Sequence, residues 1–113
     1  MKFLIIRNDW KKFGLLDLVA KKLFLTKGVG VADDKLTSFE FALRQAGIAG
    51  TNIVLISSIF PPNAKLIPRK DGLKLIKPGQ ILFTIYSRNQ TNEPNRLISA
   101  SVGIAQPTDR SKY

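Results

Sequence analysis

The chain contains neither cysteine nor histidine. The first absence excludes disulfides and thiolate metal sites. The second removes the commonest general base, the commonest metal ligand and any Ser-His triad. A metal site would have to be built from carboxylates alone, and the sequence has only 8 acidic residues, so no metal is expected. Long apolar runs are also missing. None approaches the ~20 residues that a membrane-spanning helix needs, so no membrane partner is expected. The opening stretch MKFLIIRNDWKKFGLLDLVAKK is broken by Arg7, Asp9 and Asp17 and lacks a clean apolar segment with a small-residue cleavage site. A cytoplasmic location is therefore the expectation. Any enzymatic chemistry must come from something other than an imidazole or a thiol, such as a lysine or a cofactor.

What the sequence does have is a folded composition in a short chain. Its 113 residues make one small domain at most, and 44% of them are apolar. The 18 cationic residues leave a net charge of +10. One reading is a basic module that binds nucleic acid or an acidic membrane. The other is a basic, well-solvated surface. The cations are dispersed, from Lys11, Lys12, Lys21 and Lys22 through Lys65, Arg69, Lys70 and Lys77 to Arg110 and Lys112. No dense basic block, basic helix or RNP-like stacking signature occurs. The second reading is preferred, and no nucleic-acid partner is expected.

Along the chain, residues 2–6 read as a short strand, 10–22 as a helix weakened by Gly14, and 23–31 (LFLTKGVGV) as an alternating strand that runs into a glycine-containing turn. The clearest helix spans 38–46. Thr37 caps it, Glu40 stands three residues on at capping-box spacing, and Phe39, Ala42, Leu43 and Ala46 share one face. Gly47 ends it. The apolar, β-branched run 52–60 (NIVLISSIF) reads as a buried strand that Pro61-Pro62 stops. Residues 64–68 and 80–87 read as strands, Lys77-Pro-Gly-Gln as a turn, 88–96 as a loop and 97–105 as a last strand. The expected class is α+β with sheet dominant.

A Ser-Ser pair is by itself a weak signal, and most such pairs do nothing in particular. Ser57 and Ser58 lie within the apolar run, directly before Ile-Phe-Pro-Pro. Two buried hydroxyls in succession, each costing ~1–3 kcal/mol without a partner, would call for a reason.

The segments SFEFALRQAGI, NIVLISSIFPPNAKLIP, LIKPGQILF and SRNQTNEPNRLISASVGIAQP occur in that order between Lys22 and Tyr113. Together they resemble the pyruvoyl-dependent arginine decarboxylases. The resemblance divides the chain into an N-terminal extension of unassigned role, residues 1–21, and a decarboxylase domain, residues 22–113. It implies a self-processing enzyme that converts arginine to agmatine and CO2. Its cofactor is a covalent pyruvoyl group made from Ser58, with Ser57 supplying the cleaved carbonyl. Decarboxylating an α-amino acid leaves charge on Cα, and no standard side chain can accept it. A ketone built from the backbone can, which suits a sequence without His and Cys.

Asn52, six residues before Ser58, matches a family asparagine tied to self-processing, where its amide holds a carbonyl or an oxyanion. The plain alternative is an asparagine that simply begins a strand. Glu40 matches an acidic residue beside the substrate guanidinium, a pairing that suits bidentate recognition. Here the alternative is the capping box. A family example carries aspartate there, so the longer side chain would shift the pocket. Gly47 and Gly50 need no explanation beyond a helix stop and a turn, and Trp10 reads as packing.

The resemblance further implies a homotrimer with active sites between subunits and a four-layer αββα sandwich, of which this chain supplies part. Family members continue with a strand carrying the glutamate that reprotonates Cα, and then with a helix–strand segment. The sequence stops short of these, so the domain is expected to be incomplete at its C-terminus. Asp71, Glu93 and Asp109 are the only carboxylates after Ser58, and none stands in the matching context. Two alternatives are a non-catalytic truncated relative that acts only in assembly and the basic nucleic-acid-binding module.

Overall fold

A computed structural model describes residues 18–113. In order, its elements are β1 (Lys22–Leu23), α1 (Lys35–Ala46), β2 (Asn52–Leu55), β3 (Lys65–Leu66), α2 (Arg69–Leu75) and β4 (Ile81–Thr84). The class is α+β, as expected. Sheet does not dominate, however: among the described residues more are helical than in strands. The strand expected at 2–6, most of the helix expected at 10–22, and Trp10 lie outside the described residues. The described end of that helix, residues 18–22, is not helical.

The strands form two parallel pairs, β1 with β3 and β2 with β4. In the larger pair Asn52 stands opposite Ile81 and Leu55 opposite Thr84. Parallel neighbours need a crossover, and here β3 and α2 lie within the connection between β2 and β4. The ladder is extended at both ends: Asn52 N–H donates to the Gln80 carbonyl at 2.8 Å, and Ile56 N–H to the Thr84 carbonyl at 3.1 Å.

Helix α1 begins three residues earlier than the sequence suggests. Asp34, not Thr37, is its N-cap: Thr37 N–H donates to Asp34 Oδ1 at 2.8 Å, and the Thr37 hydroxyl donates to Asp34 Oδ2 at 2.6 Å. A carboxylate two residues before the first apolar turn satisfies the free N–H groups better than the hydroxyl of Thr37. Glu40 is therefore well inside the helix and the capping-box reading fails. The C-terminal expectation holds. Gly47 adopts φ 84°, donating to Arg44 O, while Ile48 N–H donates to Leu43 O, the paired bonds of a Schellman motif.

The stretch 23–31 alternates as the sequence suggests, yet only Leu23 belongs to a strand. The remainder lies along α1, with its small residues inward. A Cβ on Gly28 would stand 1.9 Å from Ala42 O, and one on Gly30 would stand 1.8 Å from Ser38 O. Backbone meets backbone here, and only glycine permits it. Val29 N–H consequently donates to the Gln45 side chain at 2.7 Å instead of to a strand.

Arg69, the first residue of α2, closes the other end of this contact. Its Nε donates to Thr26 Oγ1 at 2.9 Å and its Nη2 to Gln45 O at 3.0 Å, while Thr26 Oγ1 donates to Ala46 O at 2.7 Å. A cation thus sits at the C-terminus of α1, where carbonyls are unpaired and the helix dipole is negative. Helix α2 escaped the sequence reading because Gly72 interrupts it. That glycine is buried under Phe24, whose ring a Cβ would meet at 2.3 Å.

The buried apolar core of the described residues is small: Ala46, Ile48 and Ala64. Many large apolar side chains are exposed, among them Val54, Leu55, Ile56, Ile81, Phe83 and Leu97. No strand forms over 97–105. A strand exists only through its pairing partner, and this stretch has none among the described residues.

Candidate functional site

Strand β2 ends at Leu55, so the run 52–60 is not one long buried strand. Ile56 still donates to Thr84 O, but beyond it the ladder stops. Ser57 and Ser58 follow, both exposed, with Ser58 at a bend. The expectation of two buried hydroxyls is thus overturned for the isolated chain. Pairing with β4 ceases before the serines, and Pro61 cannot donate to a ladder that would resume it. The peptide bond between the serines is left in irregular, accessible backbone.

Asn52 opens β2. Its Nδ2 donates to Gly79 O at 2.9 Å, and Gly79 N–H donates to Gly50 O at 2.7 Å. The turn at Lys77–Gln80 forms as expected, with Gln80 N–H on Lys77 O, Lys77 N–H on Gln80 Oε1, and Gly79 at φ 79°. The Asn52 amide therefore holds a carbonyl, but that carbonyl belongs to the turn before β4.

Glu40 is half-buried on α1, and Arg44 Nε donates to its Oε1 at 3.0 Å. Its neighbour Phe39 carries the Arg88 guanidinium over its ring, 4.0 Å from the centroid, and lies 6.0 Å from the Tyr86 ring. Gln90 Nε2 donates to Lys35 O at 3.4 Å. The segment that leaves β4 thus lies along α1 beside Glu40. Sequence reasoning missed Arg44 and Arg88. The i,i+4 spacing of Glu40 and Arg44 was visible as a helical ion pair; the contact of Arg88 was not, because it joins residues far apart in sequence.

Among the described residues no hydrogen bond joins any two of Asn52, Glu40, Ser57 and Ser58. A cavity of about 170 Å³ lies among Gly47, Gly50, Thr51, Leu73, Ile76 and Pro78, at the Asn52 end of β2. It falls short of the ~300 Å³ where small-molecule sites begin. Among the described residues, two carboxylates titrate below their usual range. The Thr37 hydroxyl, and then its N–H, lower Asp34; the Ser111 hydroxyl, and then its N–H, lower Asp109. Neither is one of the candidate site residues. Among the described residues no cluster of three or more acidic side chains could hold a metal, and no helix is long and apolar enough to cross a membrane.

Residues 22–113 match the family model described as pyruvoyl-dependent arginine decarboxylase. A protein of that name from Nitrosopumilus maritimus is 77% identical over 99 residues, covering 88% of this chain and 54% of the relative. Namesakes from Thermoplasma volcanium and Methanococcoides burtonii are 55% identical over 95 residues and 51% over 96. They cover 84% and 85% of this chain, and 52% and 53% of themselves. The chain thus spans about half the length of the curated relatives it matches. Matched over residues 22–113 and identical to these proteins at 51% to 77% of the aligned positions, the chain belongs to the pyruvoyl-dependent arginine decarboxylase family.

Proposed function

We propose that this chain cleaves itself between Ser57 and Ser58 and contributes the resulting pyruvoyl group to the conversion of arginine to agmatine and CO2. The observation that carries the proposal is the exposed, unpaired peptide at the end of β2, within the segment that matches the family. In paired strand the carbonyl and amide of that bond would be engaged in the ladder. At a bend the Ser58 hydroxyl can turn back onto the Ser57 carbonyl.

Ser58 Oγ attacks the Ser57 carbonyl carbon, the C–N bond breaks, and an ester with a free Ser58 amine results. Loss of the Ser58 Cα proton expels the Ser57 carboxylate and leaves dehydroalanine. One water enters and one ammonia leaves, giving the pyruvoyl group at the new N-terminus. Ser57 becomes the C-terminus of the fragment 1–57. Asn52 supplies an amide that stabilises the oxyanion of the first step.

The residues fit such a group, because its only precursor is a serine that stands intact and accessible at the start of the downstream fragment. When formed, the group supplies the electron sink for decarboxylation. What the chain's own residues add is recognition: Glu40 receives the substrate guanidinium, with α1 held in place by the Arg88–Phe39 stack. Glu93 is paired with Arg96 at 3.1 Å and Asp109 with Ser111 at 2.6 Å, while Asp71 lies in the first turn of α2. None is assigned the delivery of the proton to Cα. The apolar side chains left open on β2 and β4 are those that a homotrimer and an αββα sandwich would cover, with residues 22–113 as the decarboxylase domain and 1–21 as an extension to it. The proposed setting is cytoplasmic.

Denaturing electrophoresis of freshly made protein tests the reading. From the wild-type chain, material at about half the size of the uncut chain is expected, because residues 1–57 and 58–113 are nearly equal in length, and from Ser58→Ala only the full-length band. A single uncut wild-type band contradicts it.

A further inference from the structure

The two sides of the Ser57–Ser58 bond are anchored by different devices. Upstream, the last ladder bond is Ile56 N–H on Thr84 O at 3.1 Å. Downstream, Pro61–Ala64 folds into a tight turn, with Ala64 N–H on Pro61 O at 3.1 Å and Asn63 at φ 61°. Proline at the second position and a positive φ at the third make it a type II turn. Ala64 is 1% exposed, and β3 follows at once, with Lys65 N–H on Lys21 O at 2.9 Å and Ile67 N–H on Leu23 O at 2.8 Å. Between the two anchors stand only residues 57–60, and among the described residues they make no hydrogen bond.

Arg110 holds the downstream anchor. Its carbonyl accepts from Asn63 N–H at 2.8 Å, and its Nη2 donates to Ala64 O at 3.2 Å. One arginine thus grips two successive residues of the turn, the first by its backbone and the second by its side chain, from 46 positions away in sequence. The grip is transmitted back towards the cut. Pro61 and Pro62 have fixed φ, and a residue before proline is confined to extended conformations, which restricts both Phe60 and Pro61. From the turn back to Phe60 the chain is therefore stiff, and Phe60 is half-buried. Only Ile59 stands between this stiff segment and Ser58.

While the chain is intact, Ser58 is restrained from both sides. Once it is cut, the ladder holds Ser57 in one fragment, and the new terminus is restrained by the turn alone. From these contacts, and resting on the self-cleavage proposed above, we infer that Arg110 is a positioning residue: by clamping the Pro61–Ala64 turn it fixes where the pyruvoyl-bearing terminus stands after the cut. It touches no reacting atom and takes no part in the cleavage step. Its contribution is orientation, on which the effective concentration of a tethered group at a reacting centre depends.

Backbone amide order parameters from NMR, measured on cut and uncut chains, test it. In the self-cut wild-type chain the Ile59 and Phe60 amides are expected to stay well above the ~0.6 below which backbone counts as flexible. Arg110→Met keeps the stem and loses the donor. It is expected to be cut as wild type is, and to drop Ile59 below ~0.6 in the cut chain while Lys65 and Ile67 in and beside β3 keep their order. Arg110→Lys, which still carries a donor for Ala64 O, is expected to restore Ile59. In the uncut Ser58→Ala background, Arg110→Met is expected to leave Ile59 ordered, because the upstream anchor is still attached. The inference is overturned if Ile59 keeps its order in the cut Arg110→Met chain, if it is already mobile in the cut wild-type chain, or if lysine fails to restore it. It is also overturned if Arg110→Met is no longer cut, or loses order at Lys65 and Ile67 or in the uncut background, any of which would make Arg110 a general prop of the fold. A wild-type chain that stays uncut defeats the self-cleavage proposal, and this inference with it, and its mass shows that before any variant is made.

Discussion

Arg44 Nε donates to Glu40 Oε1 at 3.0 Å across one turn of α1, so the carboxylate proposed to receive the substrate guanidinium already holds a guanidinium. The two side chains are 66% and 42% exposed, and an ion pair so solvated contributes no more than ~1 kcal/mol. Substrate displaces or shares it at small cost. Glu40→Gln is expected to weaken arginine and agmatine binding ~10-fold or more, because a charge-assisted, two-point contact is lost. Arg44→Gln is expected to tighten binding slightly. Isothermal titration of the assembled protein reads both. Equal affinities in wild type and Glu40→Gln would remove Glu40 from the site, while self-cleavage should be untouched by either variant.

The contact between the 24–31 stretch and α1 depends on two glycines. Gly28→Ala and Gly30→Ala each place a methyl group inside a backbone oxygen. Overpacking of this kind costs ~1–3 kcal/mol, and backbone cannot move aside as a side chain can. Each variant is expected to lower the denaturant midpoint, and Val29→Ala, whose side chain is exposed, is expected to leave it nearly unchanged. A neutral Gly30→Ala would mean that the stretch does not lie on the helix.

Arg69 ties the same region from the other side. Its two hydrogen bonds diverge, from Nε to a hydroxyl and from Nη2 to a carbonyl. Lysine, with a single nitrogen on a flexible stem, cannot reproduce both. Arg69→Lys and Arg69→Met are therefore expected to destabilise the protein similarly, by about 1 kcal/mol. Full rescue by lysine in thermal unfolding would show that charge at the helix end matters more than geometry.

The sequence made some of this legible and hid the rest, for identifiable reasons. The C-terminal half of α1, its stop at Gly47 and the turn at Lys77–Gln80 are encoded locally, and they formed as read. The start of α1 was misplaced because Thr37 and Glu40 imitate a capping box while Asp34, three residues earlier, binds the Thr37 N–H. The alternation over 23–31 was real, but it reflects glycines against a helix and not strand against strand. Helix α2 carries a glycine where propensity argues against helix, and only its contact with Phe24 explains it. For the site, the four residues could be named from their motifs. That Asn52 and the serines stand at opposite ends of β2 needed the ladder, because the sequence did not reveal where pairing with β4 stops.

The N-cap of α1 gives the protein a definite acid response. Hydrogen bonds from Thr37, its hydroxyl first, hold the Asp34 carboxyl below its ordinary range. A carboxyl lowered in the folded state contributes stability that is complete above its unfolded value, ~3.9, and is lost as pH falls through the lower folded value. Protection of the Thr37 amide, its exchange taken relative to the intrinsic rate at each pH, is expected to hold through pH 5 and to fall below pH ~4. Asp34→Asn, a good cap that does not titrate, is expected to abolish the acid transition while it preserves protection at neutral pH. An unchanged acid profile in Asp34→Asn would assign the transition to another group.

The bond between Ser57 and Ser58 is where self-cleavage is proposed to occur. Intact mass spectrometry of the freshly purified wild-type chain reads it in one experiment. The predicted result is two species: residues 1–57 ending in a free carboxyl, and a fragment from position 58 whose mass fits a pyruvoyl group in place of serine. Ser58→Ala is predicted to give only the uncut chain. A wild-type chain found whole at its full mass, in protein shown to be folded, would contradict the account.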